Sequence, residues 1–193
     1  MLLRAELEEF KSSGKSMMPD GLEKEFIEPQ KLADLLAYVG ANHPPRRQFA
    51  GNQPKVIEAD EEGTLRLTAE TAELYGTDIY YYAAPRVLGD WHEPEDRAVW
   101  SLDVATAGRF EVWLEWACAD NTAGNSYLLE GNTGRLTDAV PGTGAGWGQY
   151  LRKNIGELEL KPGLQSLVFR SNGEIKIQAL LDLRSIQLVP IKK

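Results

Sequence analysis

The chain has 193 residues, enough for one domain of ordinary size with a substantial appendage. Hydrophobic residues make up 42% and charged residues 26%, the balance of a globular protein with a sizeable core. A formal net charge of -8 argues against holding nucleic acid or an anionic membrane by bulk electrostatics, and the single cysteine, Cys118, excludes an intramolecular disulfide and any C-x-x-C motif.

In chain order, the first stretch, "MLLRAELEEF", is acidic and broken by charges, so it does not read as a signal peptide. No apolar run approaches the roughly 18 residues of a membrane span. Taken literally, such a chain stays in the cytoplasm. Leu3 to Phe10 and Pro29 to Val39 are predicted helices. In the second, Leu32, Leu35, Leu36 and Val39 share a face opposite Lys31 and Asp34, Pro29 sits in the first turn, and Gly40 stands as the stop. Residues 41–64, opening "ANHPPRRQFAGNQP", form a linker and lead-in by composition.

From Leu65 to the end the pattern is β. "RFEVWLEWA" alternates strictly: Phe110, Val112, Leu114 and Trp116 face one way, Glu111, Trp113 and Glu115 the other. Trp100 and Trp116 fall on the core side by this periodicity, and Trp113 on the outer face. Tyr80, Tyr81 and Tyr82 place aromatics on both faces of any strand, so some are exposed. "WSLDV", "SYLLEG", "GELEL", "QSLVFR" and "RSIQLV" are further short strands, and "TAG" (Thr106–Gly108) and "KPG" (Lys161–Gly163) are turns joining strand pairs. Short strands without intervening helices predict an antiparallel β-sandwich of the jelly-roll kind, preceded by a short helical extension.

The order of "EDRAVWSLDVATAGRFEVWLEWA", "VPGTGAGWGQYLRKNIGELELKPGLQSLVFR" and "ALLDLRSIQLV" resembles a family 6 carbohydrate-binding module over about residues 65–189. The resemblance implies a galactose-binding-like sandwich that holds a polysaccharide without catalysis. In that family two loop aromatics clamp a sugar, whose C–H face stacks on an aromatic ring while its hydroxyls seek partners at the rim. The matching positions here are Trp91 and Trp147. For each, the alternative is a plug over the open end of the core. The family's sugar-binding asparagine matches Leu180 and the tryptophan after it Leu183, which removes a polar rim donor. Asn172 and Asn125 stand in neighbouring loops as replacements.

The same resemblance implies a structural calcium held by Glu70, at the family's second glutamate position, and Asp182, with Thr68 at the position of the first glutamate. Calcium takes six to eight oxygens, so two carboxylates make a modest site; the alternative is that both bond backbone or pair with Arg184. No catalytic constellation emerges. The only histidines are His43 and His92, no G-x-S-x-G occurs, and "GTGAG" lacks the Lys-Ser/Thr of a phosphate loop. Cys118 ends an alternating strand as a small buried residue.

The earlier "LRAELEEFKSSGKSMMPDGLEKEFIEPQKLADLLAYV" resembles the C-terminal end of a planctomycete-type haem-binding domain, a cytochrome c relative, over residues 3–39. The resemblance puts Met18 at the axial-ligand position of a haem iron. Covalent haem needs C-x-x-C-H, and this sequence has none, so no haem is expected and Met18 is vestigial. It further implies a longer, exported protein, with an attached cytochrome or dehydrogenase domain as the partner. The division expected is therefore a helical remnant over 1–40, a lead-in over 41–64 and a sandwich over 65–193. Three functions compete: a glycan-binding module, a sandwich that has lost the sugar site and docks on its redox neighbour, and a redox protein that needs the absent haem.

Overall fold

Alternation of side chains decides where each strand lies. In β8 (Gly108–Ala117) Phe110, Val112, Leu114 and Trp116 are buried, whereas Glu111, Trp113 and Glu115 remain partly open. In β7 (Arg97–Val104) Ala98, Trp100, Leu102 and Val104 point inward in the same rhythm. The computed structural model describes residues 45–191, which lie in the unit Pro44–Lys193. The predicted helices, the methionine loop and His43 lie outside the described residues.

The other strands are β1 (Arg46–Arg47), β2 (Ile57–Glu58), β3 (Leu65–Thr68), β4 (Glu73–Tyr75), β5 (Tyr80–Tyr82) and β6 (Val87–Gly89) before that pair. After it come β9 (Ser126–Gly131), β10 (Gly134–Ala139), β11 (Leu151–Leu160), β12 (Gly163–Ser171) and β13 (Asp182–Pro190). One sheet runs β1-β4-β7-β12-β9-β10, with β2 also on β7; the other runs β11-β8-β13-β6-β5, with β3 also on β13. All pairings are antiparallel except β2 with β7. The architecture is the expected antiparallel β-sandwich, and Trp91, Trp100, Trp116 and Phe169 are among its largest fully buried side chains.

The turns differ from the expectation in one respect. "TAG" and "KPG" do reverse the chain, but β7 and β8 lie in opposite sheets, as do β11 and β12. Each turn therefore arches across the sandwich instead of closing a hairpin. A turn sequence fixes reversal, while burial of the next apolar face decides which sheet receives it. Hairpins close instead at β9–β10, joined across Asn132 and Thr133, and at β5–β6.

β13 departs from strict alternation. Its register against β8 shifts between Leu183 and Ser185, so that Leu183, Ile186 and Leu188 are all buried despite their parity. Arg184 is the extra residue. Its guanidinium donates to Glu115 at 2.9 Å and lies 3.4 Å from the Tyr150 ring centroid, while the Ser185 hydroxyl donates to the same carboxylate at 3.1 Å. Trp113 covers the outer face as its periodicity predicts, its indole N–H donating to Glu111 and the Arg152 guanidinium resting over its ring.

Candidate functional site

Trp91 organises one end of the sandwich from within. It is fully buried, its indole N–H donates to the Leu88 carbonyl at 3.0 Å, and it meets Phe169 edge-on with centroids 5.6 Å apart. Its own carbonyl accepts the Leu180 N–H at 3.1 Å. The following turn is held by Asp96, also fully buried, which accepts the backbone N–H groups of Asp78, His92 and Glu93. Such a residue has no face to offer a sugar. The platform reading of Trp91 is thus corrected: it is the plug, because an indole whose N–H finds a backbone partner is cheaper to bury than to expose.

With Trp91 turned inward, its neighbours Asp90 and His92 turn outward. They line a cleft of about 180 Å³ with Tyr82, Trp147, Gln178, Ala179 and Asp182. Tyr82 closes β5, Asp90 follows β6, Asp182 opens β13, and Gln178 and Trp147 come from the loops before β13 and β11. Gly89 lets two of these side chains approach: a side chain there would put its first carbon 2.7 Å from an Asp182 carboxylate oxygen and 3.1 Å from the Tyr82 ring. Asp90 and Gln178 both adopt left-handed backbone, with φ of 55° and 42°. Strained positions of this kind concentrate where geometry serves a ligand.

Trp147 is half-buried, packed in part against the core, on a loop tied to the end of β8. The Thr143 N–H and hydroxyl both donate to the Cys118 carbonyl, and the hydroxyl also lies 2.6 Å from the Gln149 carbonyl oxygen. Asp120 accepts the Gly144 N–H at 3.0 Å. Gly142 sits so close to Asp120 that a Cβ would fall 2.8 Å from its Cα, whereas Gly146 and Gly148, on either side of the tryptophan, face open space. The loop is anchored at its base and open at its tip. Cys118 is fully buried beneath it, and burial pushes its thiol pKa up, so the cysteine has no reactive character.

The electrostatics of the cleft are acidic. Tyr82 donates its hydroxyl to Asp90 at 2.6 Å, which pushes the phenol pKa up to about 12. Burial, and then the charge of Asp90, raise the Asp182 pKa to about 6. His92 places Nδ1 3.7 Å from the Asp78 carboxylate. No lysine or arginine lines the cleft among the described residues.

Of the residues singled out in the sequence, Trp147 and Asp182 meet here. Asn172 does not: its backbone N–H donates to the Ser126 carbonyl and its amide faces the Ser126 hydroxyl at 3.5 Å. Asn125 is structural, since its buried amide donates to Ile177 and Ala179 and accepts from Lys176 and Ile177. Leu180 and Leu183, at the family's asparagine and tryptophan positions, are fully buried. The polar amide at the rim comes instead from Gln178, two residues earlier. Glu70 pairs with Arg86 at 3.2 Å and lines a different depression from Asp182. The pair assigned to calcium therefore shares no site, and among the described residues no group of three or more acidic, histidine or cysteine side chains is placed to hold a metal.

No family model and no curated protein matches the chain. Solved structures do. The family 35 carbohydrate-binding module of Cellvibrio japonicus Abf62 aligns with a TM-score of 0.53 at 20% identity, over 67% of this chain and 94% of that one. Another family 35 module, "Xyl-CBM35 in complex with glucuronic acid containing disaccharide", gives 0.52 at 20% identity, over 66% and 94%. The Podospora anserina GH26-CBM35 β-(1,4)-mannanase gives 0.54 at 18% identity over 69% of this chain, which spans only 29% of the enzyme. None of these three is a cytochrome. At such identities the likeness establishes the fold alone: the described residues form a β-sandwich similar to those of family 35 carbohydrate-binding modules, whereas the sequence motifs resemble family 6.

Proposed function

We propose that this chain is a noncatalytic carbohydrate-binding module whose sugar sits in the cleft between Trp147 and the Tyr82–Asp90–Asp182–Gln178 wall. The observation that carries the reading is the convergence of one half-buried indole with the hydrogen-bonding side chains of Tyr82, Asp90, His92, Gln178 and Asp182 in a cleft of about 180 Å³. The indole takes the apolar C–H face of a ring, and the acceptors and amide take its hydroxyls. Two carboxylates without a nearby cation favour a neutral sugar over a uronate. Likeness to noncatalytic modules supports the absence of catalysis. The resemblance of residues 3–39 to the end of a haem-binding domain supports a place in a longer, exported protein, where the module holds a redox or hydrolytic neighbour near its polysaccharide.

The test is affinity electrophoresis through gels containing soluble polysaccharides, with a glycan array in parallel. The parent protein is expected to be retarded by at least one neutral polysaccharide, and Trp147→Ala to migrate freely while keeping its fold by circular dichroism. If no polysaccharide retards the parent and no array position retains it, the reading fails. The sandwich is then better described as a docking domain for a cytochrome or dehydrogenase, the reading that Leu180 favours by standing where the family has its sugar-binding asparagine.

A further inference from the structure

The cleft is continuous with an aromatic strip that the sequence marks only as three consecutive tyrosines. Tyr81 points into the core, which turns Tyr80 and Tyr82 out onto the surface at 41% and 38% exposure. Their ring centroids are 4.8 Å apart at an interplanar angle of 53°. Phe49 continues the row, 4.6 Å from Tyr80 and edge-on to it, and carries the Arg47 guanidinium over its ring. Tyr82 belongs to both features, since it lines the cleft and begins the strip. Its two tyrosines lie on β5, the edge strand of its sheet, and Phe49 reaches it from the segment after β1.

We infer that this strip is an accessory subsite, which carries a glycan chain onward from the cleft across Tyr82 and Tyr80, with Phe49 bracing Tyr80 from the far side. The inference rests on the proposed cleft. Continuity through Tyr82 is the first ground, because a sugar seated in the cleft directs its next unit over a ring that is already part of the wall. Chemistry is the second: a tyrosine presents an apolar ring and a hydroxyl together, which suits a hexose better than an aliphatic protein surface. The tilt is the third. Rings inclined by 53° cannot lie together on a flat crystalline face, so the strip takes a single chain that turns as it passes.

The experiment uses the full chain on an array of neutral β-linked oligosaccharides, from one to six units, of the glucan, mannan, galactan and xylan series. Retained series are then measured by isothermal titration with the parent, Tyr80→Ala, Tyr80→Phe and Trp147→Ala. Affinity of the parent is expected to rise by about three- to ten-fold as the chain grows past the unit held in the cleft, the gain typical of one added aromatic contact. Tyr80→Ala should flatten that rise while leaving the shortest ligand unchanged, and Tyr80→Phe should keep most of it. Trp147→Ala should abolish binding at every length. Retained binding with no length dependence, or a Tyr80→Ala protein that matches the parent at every length, overturns the subsite and leaves the cleft standing. Failure of every series with the parent overturns both, and makes the strip a surface for a protein neighbour.

Discussion

Asp182 is held where its own charge is disfavoured, by burial first and by Asp90 second, so that its pKa rises to about 6. An acid whose pKa is higher folded than unfolded binds its proton more tightly in the native state. Its ionisation therefore lowers stability as pH climbs from about 4 to about 6, and the loss persists above that. Asp182→Asn should accordingly raise the melting temperature at pH 8 and make no difference at pH 4. Equal shifts at both pH values would remove the electrostatic explanation. The two loop tryptophans separate just as sharply. Trp91→Ala is expected to cost about 3–5 kcal/mol in denaturant unfolding, as for other fully buried aromatics, and Trp147→Ala far less. In the sequence the two look alike, each in a loop of glycine, proline or charge. What distinguishes them is the partner of the indole N–H and the pull of Asp96 on the next turn, and neither is a local property of the sequence.

At the scale of elements, alternation read β7 and β8 correctly because those strands are regular throughout. It could not reveal the bulge at Arg184, which resets the parity of β13 through a Glu115 carboxylate on the neighbouring strand. The Gln178 amide was missed for a related reason: its outward aim depends on a left-handed residue in an irregular loop, where no period exists to read. The loop that carries Trp147 makes its own prediction. Gly142→Ala would push its Cβ into Asp120 and displace the loop from its base. Glycan retention should fall nearly as far as in Trp147→Ala, although the cleft keeps every functional side chain. Unchanged retention in the electrophoresis gel would mean that the loop tolerates the shift.

For the molecule as a whole, the net charge of -8 and the acidic cleft act in the same sense. A glucuronic acid containing disaccharide should bind more weakly than a neutral disaccharide of the same linkage. Added salt should narrow the gap by screening the repulsion, while leaving the neutral ligand nearly unaffected. Titration at low and high ionic strength would show it. The sandwich was legible at this scale because short alternating strands with turns between them have few other ways to bury their apolar faces. The sheet order was not, since it depends on which strands meet far apart in sequence. Of the residues that line the candidate cleft, Trp147 and Asp182 were singled out in the sequence, the second for a different role.

Trp91 has one more consequence, which follows from its three hydrogen-bonded and packed neighbours rather than from its exposure. It ties Leu88 to Leu180 through its own indole and carbonyl, and so joins the loop bearing Asp90 to the loop bearing Gln178. The wall that carries Asp90 and Gln178 is riveted beneath the surface before any ligand arrives, and little ordering on that side is left for the ligand to impose. Hydrogen exchange at the Leu180 amide should then be slow in the free protein and hardly slower with glycan bound. The residue that cannot touch a ligand would set how little the protein has to move to take one.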